Sequence, residues 1–114
     1  PAIVVETLKS TTPTTDVFDK SNDPEFTVKL KESLGFLKSG LPAGTILKLA
    51  INYAINLIKP DEGKEELWFQ ALSYNDESLQ VKLAQTPQKV KYLKQGSPIK
   101  PSLDKIEKFY FEES

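Results

Sequence analysis

Hydrophobic and polar residues alternate most regularly at positions 46–58, where Leu47, Leu49, Ile51, Tyr53, Ile55 and Leu57 are separated by Lys48, Ala50, Asn52, Ala54 and Asn56. A period of two marks a half-buried strand. The same residues also satisfy a helical wheel, because Lys48, Asn52 and Asn56 recur every four positions and form one narrow polar stripe. The two periods coincide on this pattern, so spacing alone leaves strand and helix open. The isoleucines and the Pro42-Ala43-Gly44-Thr45 turn ahead weigh toward strand, while two alanines and Pro60 weigh toward helix.

Upstream, Phe26, Leu30, Leu34 and Leu37 recur at helical spacing, with Lys29, Lys31, Glu32 and Lys38 elsewhere on the wheel. Asp23 suits an N-cap, Pro24 the first helical position, and Glu25 the positive end of the helix dipole. Gly40 suits the C′ position and Pro42 prevents continuation, so a helix is predicted over 24–39, weakened by Gly35. Residues 2–8 are β-branched and short and read as a strand. The Ser/Thr/Pro/Asp-rich stretch 9–22 reads as a flexible loop, with Phe18 as its single anchor.

Downstream, Lys59-Pro60-Asp61-Glu62-Gly63-Lys64 is turn chemistry, and 67–74 is an aromatic-rich strand with Trp68 on the opposite face from Phe69. Asn75-Asp76-Glu77-Ser78 is a tight connection, after which Leu79, Val81 and Leu83 alternate with Gln80 and Lys82. A further short strand is expected through Val90 and Tyr92. Gly96-Ser97-Pro98 and Pro101 break the chain before a C-terminal segment, 96–114. There Ser102 caps a short helix carrying Leu103, Ile106 and Tyr110, or 106–111 forms an edge strand. The expectation is one α+β domain over 1–114: an antiparallel meander of four to five strands with one main helix on one face.

Composition narrows the chemistry. At 114 residues, 39% hydrophobic and 27% charged, the chain is long enough for one real core. It contains no Cys, His, Met or Arg. There is therefore no thiolate nucleophile, no imidazole base, no Cys/His metal site, and no planar fork for paired contacts to phosphate or guanine. Absence of cysteine, of a leader-like start at Pro1 and of any apolar run near 18 residues favours a soluble, cytoplasmic protein with no membrane span.

Net charge is −1, but the charges are segregated. Between Asp61 and Glu77 six acids face Lys64 alone, and between Leu79 and Leu103 five lysines meet no acid. The lysine-rich stretch (Lys82, Lys89, Lys91, Lys94 and Lys100, with Tyr92 for stacking) supports an alternative reading as a non-specific nucleic-acid-binding module. Its other reading is a solvated edge protected by lysines. The acidic turn lacks the spacing of a calcium loop, so no metal or other cofactor is expected. No motif marks a carboxylate pair for catalysis, or a Ser–Lys pair in which Ser33, Ser73 or Ser78 would meet a buried lysine.

The Lys48, Asn52 and Asn56 row supports a second alternative, a small-ligand carrier. The leading expectation is a small non-enzymatic accessory or regulatory protein. It binds another protein, or a second copy of itself, through an uncovered sheet face (Trp68, Leu72, Tyr74) and an aromatic-acidic tail (Phe109, Tyr110, Phe111).

Overall fold

The computed structural model describes residues 17–76 and 78–113; the strand expected over 2–8 and most of the 9–22 loop lie outside them. The helix α1 runs Phe26–Ser39 and buries Phe26, Leu30, Ser33 and Leu34 along one side. It starts two residues later than expected because Asp23 is spent on a turn ahead of it. The Asp23 carboxylate accepts the Glu25 N–H at 2.9 Å, and its carbonyl accepts the Phe26 N–H at 3.1 Å. The same carboxylate pairs with Lys29 at 2.6 Å, which holds its pKa below the usual range. Gly40 ends the helix at φ +103°, a conformation that disfavours a Cβ. Gly35 is different: it is helical, exposed, and a methyl group there meets no atom within 4 Å. Gly35→Ala is therefore expected to raise stability by about 0.5–1 kcal/mol, read as a higher melting temperature.

Among the described residues six strands form one antiparallel sheet: β1 (Phe18–Asp19), β2 (Thr45–Ala54), β3 (Lys64–Asn75), β4 (Ser78–Leu83), β5 (Pro98–Ile99) and β6 (Ile106–Glu113), in the order β1-β6-β2-β3-β4-β5. The α+β architecture is as expected. The count exceeds four to five because two-residue strands, β1 and β5, flank the four long ones. β2, β3 and β4 are the meander, and β6 returns to lie along the free side of β2.

The ambiguous 46–58 segment is a strand as far as Ala54. Leu47, Leu49 and Ile51 are buried from one face, opposite Phe111, Phe109 and Ile106 of β6. After Ala54 the chain leaves the sheet, and Leu57 and Ile58 stand on the connection to β3.

The C-terminal segment forms a short 3₁₀ turn, Leu103–Lys105, and then β6, which is an interior strand rather than an edge. Its apolar residues Ile106, Phe109 and Phe111 mix a spacing of three with a spacing of two. The cause is a β-bulge: Ala50 faces Lys108 and Ile51 faces Ile106, leaving Glu107 as the extra residue. The strand expected through Val90 and Tyr92 does not form. Residues 84–97 are an irregular connection whose Val90 is 1% exposed in the core, with Leu93 packed beside it. Thus α1, the 84–97 connection and Leu103 of the crossover all join the same core cluster.

Candidate functional site

Among the described residues the cover is concentrated on one side of the sheet, and on the open face opposite, partly exposed side chains fall into cross-strand rows. Tyr110, Lys48, Gln70 and Lys82 form one row across β6, β2, β3 and β4. Lys108, Ala50 and Trp68 form the next, and Asn52 with Glu66 a third. Ile46 and Glu112 pair at the far end.

The Trp68 and Tyr110 rings meet edge to face across β2, 5.2 Å between centroids and 79° between planes. An alanine at position 50, between the two strands, leaves room for that approach. The Trp68 backbone is held on its outer side, where its N–H donates to the Gln85 side-chain carbonyl at 2.8 Å and its carbonyl accepts the Ala84 N–H at 2.9 Å.

Charged groups ring the aromatic pair. Lys108 contacts Glu66 at 3.2 Å, and Lys48 contacts Glu112 at 3.7 Å. The Tyr110 hydroxyl donates to the Glu112 carboxylate at 3.1 Å. Partial burial, with the Glu112 carboxylate adding to it, pushes the Tyr110 phenol pKa up, so it stays a neutral donor through the physiological range. These half-exposed pairs contribute little to stability individually. Their effect is to hold the long side chains upright around the rings.

Several sequence expectations are corrected by this geometry. Tyr74 does not share a face with Trp68. Ala71 faces Val81 but Ser73 faces Gln80, so Leu72 is the extra residue of a bulge and Tyr74 turns to the core side. Leu72 is exposed within that bulge. Phe109 and Phe111 are not available to a partner: they are 0% and 1% exposed. Phe109 stacks on Phe18 at 4.9 Å and tilts against Phe26 at 5.3 Å, so Phe18 does anchor its segment. Of the tail's three aromatic residues only Tyr110 reaches the open face.

The Lys48, Asn52 and Asn56 row is also broken. Lys48 and Asn52 sit on the open face, but Asn56 lies past the strand end. There its side-chain oxygen accepts the Ile58 N–H at 2.9 Å and the Lys59 N–H at 3.4 Å.

The lysine-rich stretch is dispersed. Lys82 is on the open face; Lys89, Lys91 and Lys94 are on the 84–97 connection, which packs on the other side; Lys100 follows β5 and lines a recess with Asp76. Tyr92 donates its hydroxyl to the Ala54 carbonyl at 2.5 Å, which ties it to its own domain. The acids are dispersed too: Glu66 pairs with Lys108, Asp76 with Lys38 at 3.0 Å, and Glu65 binds the backbone of the 84–97 connection. Among the described residues no group of three acids assembles as a metal site, and no helix is long and apolar enough to cross a membrane.

Sequence reading missed Lys108, Glu66 and Glu112 as the frame of the aromatic pair. Their signal is the alternation of β6 read with one residue inserted at Glu107. No protein family, curated protein or solved structure matches this chain.

Proposed function

We propose that this chain is a small non-enzymatic accessory or regulatory protein that binds another protein through the open sheet face centred on Trp68 and Tyr110. The observation that supports the reading is the asymmetry of the sheet. The helix, the long connection and the crossover add to one core, while a framed aromatic pair stands on the opposite face. Aromatic residues at the centre and charged pairs at the rim match the anatomy of protein interfaces, where Trp and Tyr dominate the binding energy.

Charge favours protein over nucleic acid as the partner. The face carries Lys48, Lys82 and Lys108 against Glu66 and Glu112, and both glutamates are paired, so little net charge is left to attract phosphates. Size bears on affinity. Four strands spaced about 4.8 Å apart, read over about six residues, offer roughly 400 Å², half of what one partner contributes to a standard interface. A reversible complex is therefore expected, with association of two copies through the same face as a close variant.

Trp68 is the only tryptophan, so its fluorescence reports on this face directly. The test is nuclease-treated affinity capture with the wild-type chain and with Trp68→Ala, followed by titration of the purified partner against Trp68 emission. A stoichiometric protein that shifts the emission, and whose recovery falls at least about tenfold with Trp68→Ala, is the expected result. Capture that disappears with nuclease, or that ignores the substitution in a folded variant, overturns the reading.

A further inference from the structure

We propose that the groove at the root of the β2–β3 hairpin is a second docking site, which takes a short acidic peptide segment carrying an apolar side chain. It adjoins the end of the Trp68 face and shares Asn52 with it. Two observations converge on it. Leu57 and Ile58, at 65% and 88% exposure, are the most exposed large hydrophobic residues among those described, and they sit side by side on the 55–63 connection. At the foot of that connection is a solvent-open groove of about 310 Å³, whose lining includes Asn52, Tyr53, Leu57, Tyr92, Lys64 and Lys105.

The groove is built before any ligand arrives. The Ile55 N–H donates to the Gly63 carbonyl at 3.0 Å, closing the hairpin, and the Asn56 side chain fixes the turn that presents Leu57. Tyr92 is tied to the Ala54 carbonyl, and Tyr53 packs on Phe69 with ring centroids 5.7 Å apart. Preformed walls spare a ligand the entropy of ordering them.

Charge selects the occupant. No carboxylate lines the groove, and neither Lys64 nor Lys105 has an ion-pair partner among the described residues. Five of the fourteen described lysines are paired with acids (Lys29, Lys38, Lys48, Lys59 and Lys108), and Lys64 and Lys105 are two of the nine without an ion pair. Two lysines without ion pairs in the lining of a mainly apolar groove complement carboxylates next to one apolar side chain. The volume is at the lower limit for a small-molecule pocket and the groove is open, so it suits one peptide side chain better than an enclosed ligand. Asp61 and Glu62 on the same connection repel a continuous polyanion or an anionic bilayer, whereas a peptide can place its few charges on the lysines alone.

The test uses the full chain and fluorescein-labelled hexapeptides in which a single Leu, Phe or Trp is flanked on both sides by Glu, with Gln-flanked counterparts, read by fluorescence anisotropy. Binding of the Glu-flanked set is expected, weakened at least about tenfold by combined Lys64→Glu and Lys105→Glu and by Leu57→Ser. Lys82→Glu and Trp68→Ala, at residues that do not line the groove, leave it unchanged, which separates this site from the proposed partner face. The exchanged groove residues are exposed, so melting curves should match wild type. Equal binding of the Gln-flanked set, insensitivity to charge reversal, no binding of either set, or binding only to phosphatidylserine vesicles overturns the proposal.

Discussion

Phe109→Ala is expected to destabilise the domain by about 3–5 kcal/mol, seen as a large fall in the urea midpoint. The size follows from where the ring sits. It is fully buried, stacked on Phe18 of β1, tilted against Phe26 at the start of α1, and opposite Leu49 in the centre of β2. Removing it opens a cavity where two strands, an edge and the helix meet, and none of these elements can close over it alone. For a domain whose total stability is typically about 5–15 kcal/mol, about a fifth or more is at stake. Tyr110→Ala, one residue along, is the control: its ring lies on the open face, so the cost should be well below that of Phe109→Ala. A C-terminal tail reserved for a partner predicts the opposite, a silent Phe109→Ala. Unfolding free energies of the two variants within about 1 kcal/mol of each other would refute the packing account.

That contrast also shows what the sequence made legible. Helix α1 was readable because Phe26, Leu30 and Leu34 repeat at its period and Gly40 stops it. β2 was only half legible: its alternation, its isoleucines and the preceding turn fit a strand, but the Lys48, Asn52 and Asn56 stripe left a helix open until the structure showed the strand. The face of Trp68 relative to Phe69 followed from the same rule, since alternation is strict over that part of β3.

What failed has two physical causes. The first is the bulge. One inserted residue reverses the side-chain parity beyond it, which moved Tyr74 to the core side and gave Ile106, Phe109 and Phe111 a spacing that local periodicity cannot separate from a helix or a free tail. The second is long-range backbone capture. Val90 and Tyr92 carry strand-like residues, but the hydrogen-bonding groups near them are satisfied by Glu65 and by the Ala54 carbonyl, more than twenty residues away. Nothing near Val90 in the sequence announces a carboxylate that reaches it from the start of β3.

The same carboxylate sets the second large effect. Glu65 accepts three successive backbone N–H groups, from Gln88 at 2.8 Å and from Lys89 and Val90 at 2.9 Å each. Hydrogen bonds to an ionised acceptor are stronger than neutral ones, and here they seat the turn that delivers Val90 into the core. Glu65→Ala should therefore release the 84–97 connection before it unfolds the sheet. Amide exchange at Gln88, Lys89 and Val90 should quicken by about tenfold or more, with the β2–β3 pairing changed far less. The bonds to Gln88 and Val90 are the chief causes holding the Glu65 pKa below its ordinary value, with Lys89 adding to them. Because the folded value is lowered, the carboxylate's contribution is complete above the ordinary glutamate pKa of about 4.3 and is lost as pH falls through the folded value. Asp19 and Asp23 are lowered too, by Ser21 and by Lys29 respectively, so the acid limb of the wild-type curve is shared. Glu65→Gln isolates the Glu65 part: it keeps the shape and one acceptor but has no proton to gain. The difference in stability between wild type and Glu65→Gln should be largest near neutral pH and should close on acidification below about pH 4. A gap that stays constant down to pH 2 would assign the seat of the connection to Val90 packing rather than to the carboxylate.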